Sequence, residues 1–589
     1  MHIASILKTG LVALAAASVV ACSSTPPRAT QPVHVKLLAI NDFHGNLRPP
    51  RGGIRIKDPA DASKTIEVAA GGAEHLATAV AQLRAKNPNH AFVAAGDLIG
   101  ATPLLSALFR DEPTIESLSA MGLEISAVGN HEFDKGSAEL KRLQNGGCKI
   151  TNGLPDPNSC KGLGSGAPGT FDGAKFKWLS ANVIENVTGR PLLAPFGIKT
   201  FEGIKVAFIG MTLEATPTIV TPTGVAGLTF KDEADTVNAL IPRLRLQGVR
   251  AIVVLVHQGG FQTAPTVSDI NGCDGNLKAS NGSDSAIGEI VKRLDNPVDL
   301  VITAHTHAAY NCSANTVDVA NVGGVAVSTP RPTGLPNRFG RLIPVTSASA
   351  FGRILTDIDV GLDPRTGNVV SVKPTNRLVD RTDADINAAI AADPTVKNIV
   401  DGYSALVSPL ANAVIGTIAS PLPNTPNTAG EMPAGDLIAD AQLQATQPAA
   451  LGGAVMAFMN AGGVRTPGFV GPAYPYNVTY GNAFTVQPFG NSLVTMTLTA
   501  QQIRNTLEQQ FIGCLGQTNQ RILQISNGLR YSWSAAAAPC SKIVDLVFTP
   551  TDATVVPPVA TGAPETLVAA GVVLNPTQTY RVTVHNFIA

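Results

Sequence analysis

Five apolar runs between Val33 and His307 each stop at a side chain able to bind a metal ion. Residues 35–40 run into Asn41-Asp42-Phe43-His44-Gly45, and residues 91–95 into Gly96-Asp97. Residues 125–128 run into Gly129-Asn130-His131-Glu132-Phe133-Asp134. Residues 251–256 end in His257, and residues 300–304 in His305-Thr306-His307. Asp42, His44, Asp97, Asn130, His257, His305 and His307 offer carboxylate, imidazole and amide donors, a borderline set that suits Zn, Mn or similar ions. One such residue alone is usually a helix cap or a hydrogen-bonded core group. Five strand ends in succession point instead to two divalent metal ions. Such a pair, ~3.5–4 Å apart, acidifies a water and clamps a phosphoryl oxygen for in-line displacement. His131 and Asp134 are three residues apart and can meet within one helical turn. Asp134 then orients the imidazole, and His131 stabilises charge in the transition state. The plainer alternative makes His131 a neutral structural donor.

Near-continuous apolar runs of this kind fit strands buried on both faces. Helical stretches at 74–86 and 234–246 lie between them, which predicts an α/β fold: a layered sandwich of sheets flanked by helices. Ligands of such sheets bind at the carboxyl ends of strands, where these polar residues stand.

In this order, D-x-H, G-D, G-N-H-E and x-H-T-H resemble the motifs of the calcineurin-like metallophosphatases. N-D-F-H-G, G-N-H-E-F-D and the second half of the chain narrow the resemblance to the 5′-nucleotidase/UDP-sugar hydrolase family, from about Val33 onward. The resemblance implies that Asp42, His44, Asp97 and His307 hold one metal. Asp97 bridges to the second, which Asn130, His257 and His305 complete. Ala304 stands where the family usually has Gly, a change expected only to tighten the turn, the alternative being a slight displacement of His305. Asp134 also matches the nucleotidases better than the cyclic-phosphodiesterase relatives, which more often carry Asn there.

The second half predicts a helix opening near Glu431-Met432-Pro433-Ala434-Gly435-Asp436, followed by Asn460-Ala461-Gly462-Gly463-Val464-Arg465 and Gln487-Pro488-Phe489-Gly490-Asn491. These resemble the family's second α/β domain, which recognises nucleotides. By that resemblance Arg465 binds phosphate, Asn460 contacts the base, and Phe489 and Phe587 form the two walls of a base-stacking clamp. The chemistry agrees: glycines allow close backbone approach, guanidinium matches phosphate, and an aromatic face suits any base. Residues 421–434 lack the arginines that relatives carry there, which leaves Arg465 as the main positive group. A Gly-Gly-Asp-Gly loop that follows N-F-L-A in relatives has no counterpart after Asn586-Phe587-Ile588-Ala589, so the second wall is expected to fray.

The 589 residues are 44% hydrophobic and 15% charged, with Lys+Arg and Asp+Glu both at 43. That composition excludes collagen, coiled coil and disorder, and zero net charge disfavours a nucleic-acid polymer as partner. Lys8 precedes an apolar run at 11–21 too short to span a bilayer. Val19-Val20-Ala21-Cys22-Ser23 resembles a bacterial lipobox, with Cys22 as the lipidation site and Ser23 the residue of outer-membrane sorting; the alternative is an ordinary signal peptide. The remaining six cysteines fit an oxidising compartment. The shortest closures pair Cys148 with Cys160, Cys273 with Cys312 and Cys514 with Cys540. The expected organisation is a signal peptide (1–21), a tether (22–32), a metallophosphatase domain (33–380), a linker helix region (381–408) and a C-terminal domain (409–589). The expected function is a dinuclear-metal hydrolase of extracytoplasmic nucleoside 5′-monophosphates. Alternatives are a broader hydrolase of UDP-sugars, diphosphates or cyclic nucleotides, and a surface nucleotide-binding protein without turnover.

Overall fold

The computed structural model describes residues 31–588, apart from short stretches at 51, 59, 62, 165–166, 264–268, 274, 276, 281, 314–316, 323–324, 331–333 and 518. The signal-peptide and lipobox expectations, Cys22 included, lie outside the described residues.

Two six-stranded sheets pack face to face. The elements that build them are β1 (Val33–Ile40), α1 (Ala73–Arg84), β2 (His90–Ala94), α2 (Glu112–Ala120), β3 (Ile125–Ala127), β4 (Lys177–Leu179), β5 (Phe196–Phe201) and β6 (Ile204–Met211). They continue through α3 (Glu233–Leu246), β7 (Ala251–Val256), α4 (Ala286–Arg293), β8 (Leu300–Ile302), β9 (Ala309–Cys312), β10 (Val345–Ala348), β11 (Ile354–Leu362) and β12 (Val369–Leu378). The first sheet has the order β12-β11-β1-β2-β3-β4, and the second β5-β6-β7-β8-β10-β9. Pairing is parallel from β1 to β4 and from β6 through β8 to β10. Strand alternation explains why both faces are apolar. Val35, Leu37 and Ala39 of β1 join Val206, Phe208, Val253 and Leu255 in the core between the sheets. Leu38 and Ile40 point the other way, onto Leu76 and Val80 of α1 and Leu118 of α2. Ile252 and Val254 likewise cover Val237 of α3 and Ile287 of α4.

The linker region forms two helices, α5 (Ala384–Ala392) and α6 (Thr395–Ala411). Val396, Ile399, Val400, Tyr403 and Val407 of α6 recur at helical spacing and are buried in the same core as α1 and α2. Tyr403 OH donates to Glu116 Oε2 of α2 at 3.0 Å, and Arg48 pairs with Asp401 at 2.5 Å.

Beyond it lie α7 (Pro433–Thr446), β13 (Met456–Met459), α8 (Tyr480–Val486), β14 (Leu493–Thr499), α9 (Ala500–Glu508), β15 (Gln524–Ile525), β16 (Leu529–Trp533), β17 (Ile543–Phe548), β18 (Glu565–Ala569), β19 (Val572–Val573) and β20 (Thr579–His585). They make two four-stranded sheets, β14-β20-β13-β15 and β16-β17-β18-β19, around a core of Phe458, Ile503, Phe511, Leu546 and Val582. All three expected disulfides are present. No described helix is long and apolar enough to cross a membrane.

Candidate metal centre and its cover

Because β1, β2 and β3 run parallel, their carboxyl ends open on one side, and β7 and β8 of the facing sheet open there too. The sequence-selected donors converge at that opening. His44 Nε2 faces His307 Nε2 at 3.1 Å, with Asp42 Oδ1 at 3.4 Å from His307 Nε2. Asp97 Oδ2 lies 3.6 Å from His44 Nε2 on one side and 3.0 Å from His257 Nε2 on the other. Asn130 Oδ1 completes the second group, 3.1 Å from both His257 Nε2 and His305 Nδ1. Ala304 is fully buried without a positive φ, and His305 stands in the cluster beside it.

The backbone that aims these groups is strained. Asp42, His44, Asp97, His305 and His307 all have positive φ, between 45° and 71°. Each such conformation costs on the order of 1–3 kcal/mol and persists only where its surroundings over-determine it. Here Asp42 N donates to Gly96 O and His44 N to Asp97 O, both at 3.0 Å, so the first two loops brace each other. Three residues that sequence reasoning did not select add to the brace. Glu132 accepts from Asp97 N (3.0 Å), Leu98 N (2.8 Å) and Gly129 N (2.6 Å), tying the G-D loop to the G-N-H-E loop. Asn41 accepts from Ala348 N at 2.7 Å and donates to Asp42 Oδ2 at 2.7 Å. Phe351 packs edge-on to His307 and His44, with ring centroids 5.2 and 5.9 Å away, and its N–H donates to Asp42 O. Glu132 and Asn41 lie inside the motifs quoted above; Phe351 carried no sequence signal.

Electrostatics at the cluster follow burial and neighbours. Burial pushes His44 down to about 3, and burial with the His257 charge takes His305 to about 4. Both rings are therefore neutral and able to donate a lone pair. Burial would lower His257, yet Asp97 beside it outweighs this and lifts it to about 9. Burial would raise Asp97, but His257, His131 and His44 outweigh it and hold the carboxyl well below the usual range. His44 Nε2 and His307 Nε2 face each other at 3.1 Å with the Asp42 and Asp97 carboxylates beside them, an arrangement a shared cation satisfies. The residues present therefore fit divalent metals: Asp42, His44 and His307 form one group of donors, and Asp97, His257 and His305 another, each with all its donor atoms within 4.8 Å.

His131 and Asp134 meet as expected, in a 3₁₀ turn over His131–Phe133 rather than an α-helix, with Nδ1 and Oδ2 2.7 Å apart. Burial would lower His131, but Asp134 and then Asp97 outweigh it and raise it. The second domain supplies a cover. Phe489 lies nearly parallel to the His131 ring, centroids 6.2 Å apart and 18° inclined, and the Arg465 guanidinium sits 5.7 Å from the Phe489 ring. Burial lowers Arg465, which the charges of Asp134 and Asp97 partly offset. Parallel pairing of β13 with β20 places Asn460 and His585 side by side, and His585 Nε2 bonds Asn460 Oδ1 at 2.7 Å. Phe587 packs against His585, centroids 5.9 Å apart. It is tied down rather than frayed: Asn586 N donates to Ser492 O, and Ile588 packs on the domain core. His585 went unselected because its partner becomes evident only from the strand pairing.

Residues 35–309 match the calcineurin-like phosphoesterase family, and residues 414–589 match the 5′-nucleotidase C-terminal domain. The chain therefore belongs to the family that joins these two domains. Endonuclease YhcR of Bacillus subtilis (strain 168) is 27% identical over 95% of this chain, which spans only 37% of that protein's length. The 5′-nucleotidase of Bos taurus is 24% identical over 88% of this chain and 78% of its own. Among solved structures, a 5′-nucleotidase precursor from Thermus thermophilus shares the fold at a TM-score of 0.63, with 23% identity over 95% of this chain and 90% of that one.

Proposed function

We propose that the protein releases phosphate from nucleoside 5′-monophosphates outside the cytoplasm. The observation that carries this reading is the placement of Phe489 and Arg465 over His131: a flat aromatic face and a guanidinium from the second domain meet the opening of the metal cluster. A phosphate at the cluster and a base on Phe489 require one ligand that carries both.

In this reading residues 33–380 and 409–589 are the two working units, joined by 381–408. Asp42, His44, Asp97 and His307 hold one divalent cation, and Asp97, Asn130, His257 and His305 the other. When bound, the cations supply Lewis acidity and positive charge to phosphoryl transfer. With its Nδ1–H given to Asp134, His131 has Nε2 left to donate to a phosphoryl oxygen as charge builds there. Arg465 takes a second phosphoryl oxygen. Phe489 and Phe587 bracket the base. Asn460, its carbonyl already engaged by His585, keeps its amide N–H groups for the base edge.

Three disulfides support an oxidising, exported setting, and the lipobox-like sequence supports a lipid anchor at Cys22. Labelled palmitate should enter the wild type in a bacterial host and be lost in Cys22→Ser; an unmodified, soluble wild type refutes the anchor. A phosphate-release assay with Mn or Zn should rank AMP above UDP-glucose and 2′,3′-cyclic AMP. A higher rate on either of the latter replaces the nucleotidase reading with a broader hydrolase.

A further inference from the structure

The pole opposite the metal cluster presents a group of outward-facing cations. β1 starts there at Val33 and carries the chain through eight residues, about 26 Å, before the cluster begins. Around Val33 the pole is built from the turn between β5 and β6, the loop from α3 into β7, and the turn between β11 and β12, whose Leu362 pairs with Val33. Lys205 Nζ donates to Gln247 O at 2.9 Å, and Arg245 Nη1 to the carbonyls of Val249 and Arg250, both at 3.3 Å. These two cations thus bond main-chain carbonyls and keep their charge. The stem of Arg250 lies along the β11–β12 turn, where a Cβ added to Gly367 would come within 3.6 Å of it. Arg365 projects from the same turn, its side chain 70% exposed.

The acids nearby cancel part of this charge: Asp363 accepts from Arg365 N at 2.8 Å and pairs with its guanidinium at 3.6 Å, and Glu202, bonded to Asn89, keeps its own charge. Asp299 is buried beneath, accepting from Ile252 N and paired with Arg341 at 3.6 Å, so that Lys205, Arg245 and Arg250 outweigh Glu202 and leave a cationic excess. Among the cations stand two apolar side chains, Leu246 at 90% exposed and Val370 at 56%. Cations that pair with phosphates, interleaved with exposed aliphatic groups, suit the headgroup layer of an anionic bilayer.

We propose that this pole is a membrane-docking face. Lys205, Arg245, Arg250 and Arg365 meet anionic phospholipid headgroups, Leu246 and Val370 enter the headgroup layer, and the metal cluster and second domain face away from the bilayer. The proposal rests on the lipid anchor at Cys22. The stretch from Cys22 to Val33 reaches at most about 40 Å when fully extended, so an anchored chain holds the start of β1 within that distance of the surface. A basic patch beside a lipid anchor adds electrostatic attraction to anionic lipids.

The test is hydrogen–deuterium exchange of the lipidated full chain on phosphatidylcholine vesicles, with and without an equal share of phosphatidylglycerol. Amides at 202–205, 246–250 and 363–368 should exchange several-fold more slowly on the anionic vesicles. Arg250→Glu with Arg365→Glu should remove that slowing and leave p-nitrophenyl phosphate turnover unchanged; the same pair changed to Gln serves if the reversed chain does not fold. Equal exchange on both vesicles, or slowing that survives the reversal, overturns the proposal. Equal slowing by soluble polyphosphate on neutral vesicles assigns the face to an anionic polymer and also overturns it. A chain that does not float with neutral vesicles lacks the anchor, which refutes that reading separately. Docking then requires the pole to bring the chain onto anionic vesicles unaided, and failure there refutes docking too.

Discussion

Asp97 Oδ2 stands between His44 and His257, the one carboxylate within 4 Å of imidazoles from both donor groups among the described residues. Replacing it should therefore weaken both groups at once. Asp97→Asn is expected to lower bound metal, read by elemental analysis, and to cut turnover by at least about 10²-fold; near-normal hydrolysis by this variant or by metal-stripped protein refutes the dinuclear reading. His131 makes a different prediction, because its partner is Asp134 and its proposed role lies in the transition state. His131→Ala should lower kcat by ~10²–10⁴-fold with little change in KM. A rise in KM alone would make it a substrate-binding residue. The donors were legible because each ends an apolar run, a one-dimensional signal. Glu132 was not: its three N–H partners come from two loops that meet only in the fold. His585 was hidden for the same reason, as its bond to Asn460 exists only through the parallel pairing of β13 and β20.

The helix α6 shows how an element acts on stability. Tyr403 donates to Glu116, whose carboxyl is pushed up to about 7 by burial from an ordinary 4.5. A carboxyl raised in the folded state contributes stability fully below its unfolded value and loses it as pH rises to the folded value. Glu116 should thus cost the protein progressively from pH 4.5 to about 7, by an amount on the order of 3 kcal/mol at the top of that window. Glu116→Gln, which keeps a carbonyl for Tyr403, should raise Tm at pH 8 and match the wild type near pH 4.5. An equal shift at both pH values would show that the effect is not ionisation. The buried strands were legible from their apolar runs, α1 and α3 came within two residues of their observed ends, and Ala251–Val256 matched fully. The linker helix region expected at 381–408 forms two helices, because Asp393-Pro394 interrupts it: proline cannot supply the N–H that would continue the first helix. The second domain was legible mainly through motifs. Its strands are short and partly exposed, so periodicity there is weak.

At the scale of the molecule, the second domain lays Phe489 and Arg465 across the opening of the first domain's donor cluster, and in the proposed reading the two domains divide the substrate between them. The metal cluster alone would serve any small phosphate ester. The cover is what would make nucleotides preferred, with base–aromatic stacking worth ~1–3 kcal/mol per base. Tied down by Asn586 and Ile588, Phe587 is placed to contribute as well. The most direct measurement is kcat/KM for AMP and for p-nitrophenyl phosphate in the wild type and in Phe489→Ala. The account predicts a loss of about 10- to 100-fold on AMP with p-nitrophenyl phosphate spared. Equal losses on both substrates, or none on AMP, would contradict it and leave a general phosphoesterase whose second domain does not read the base.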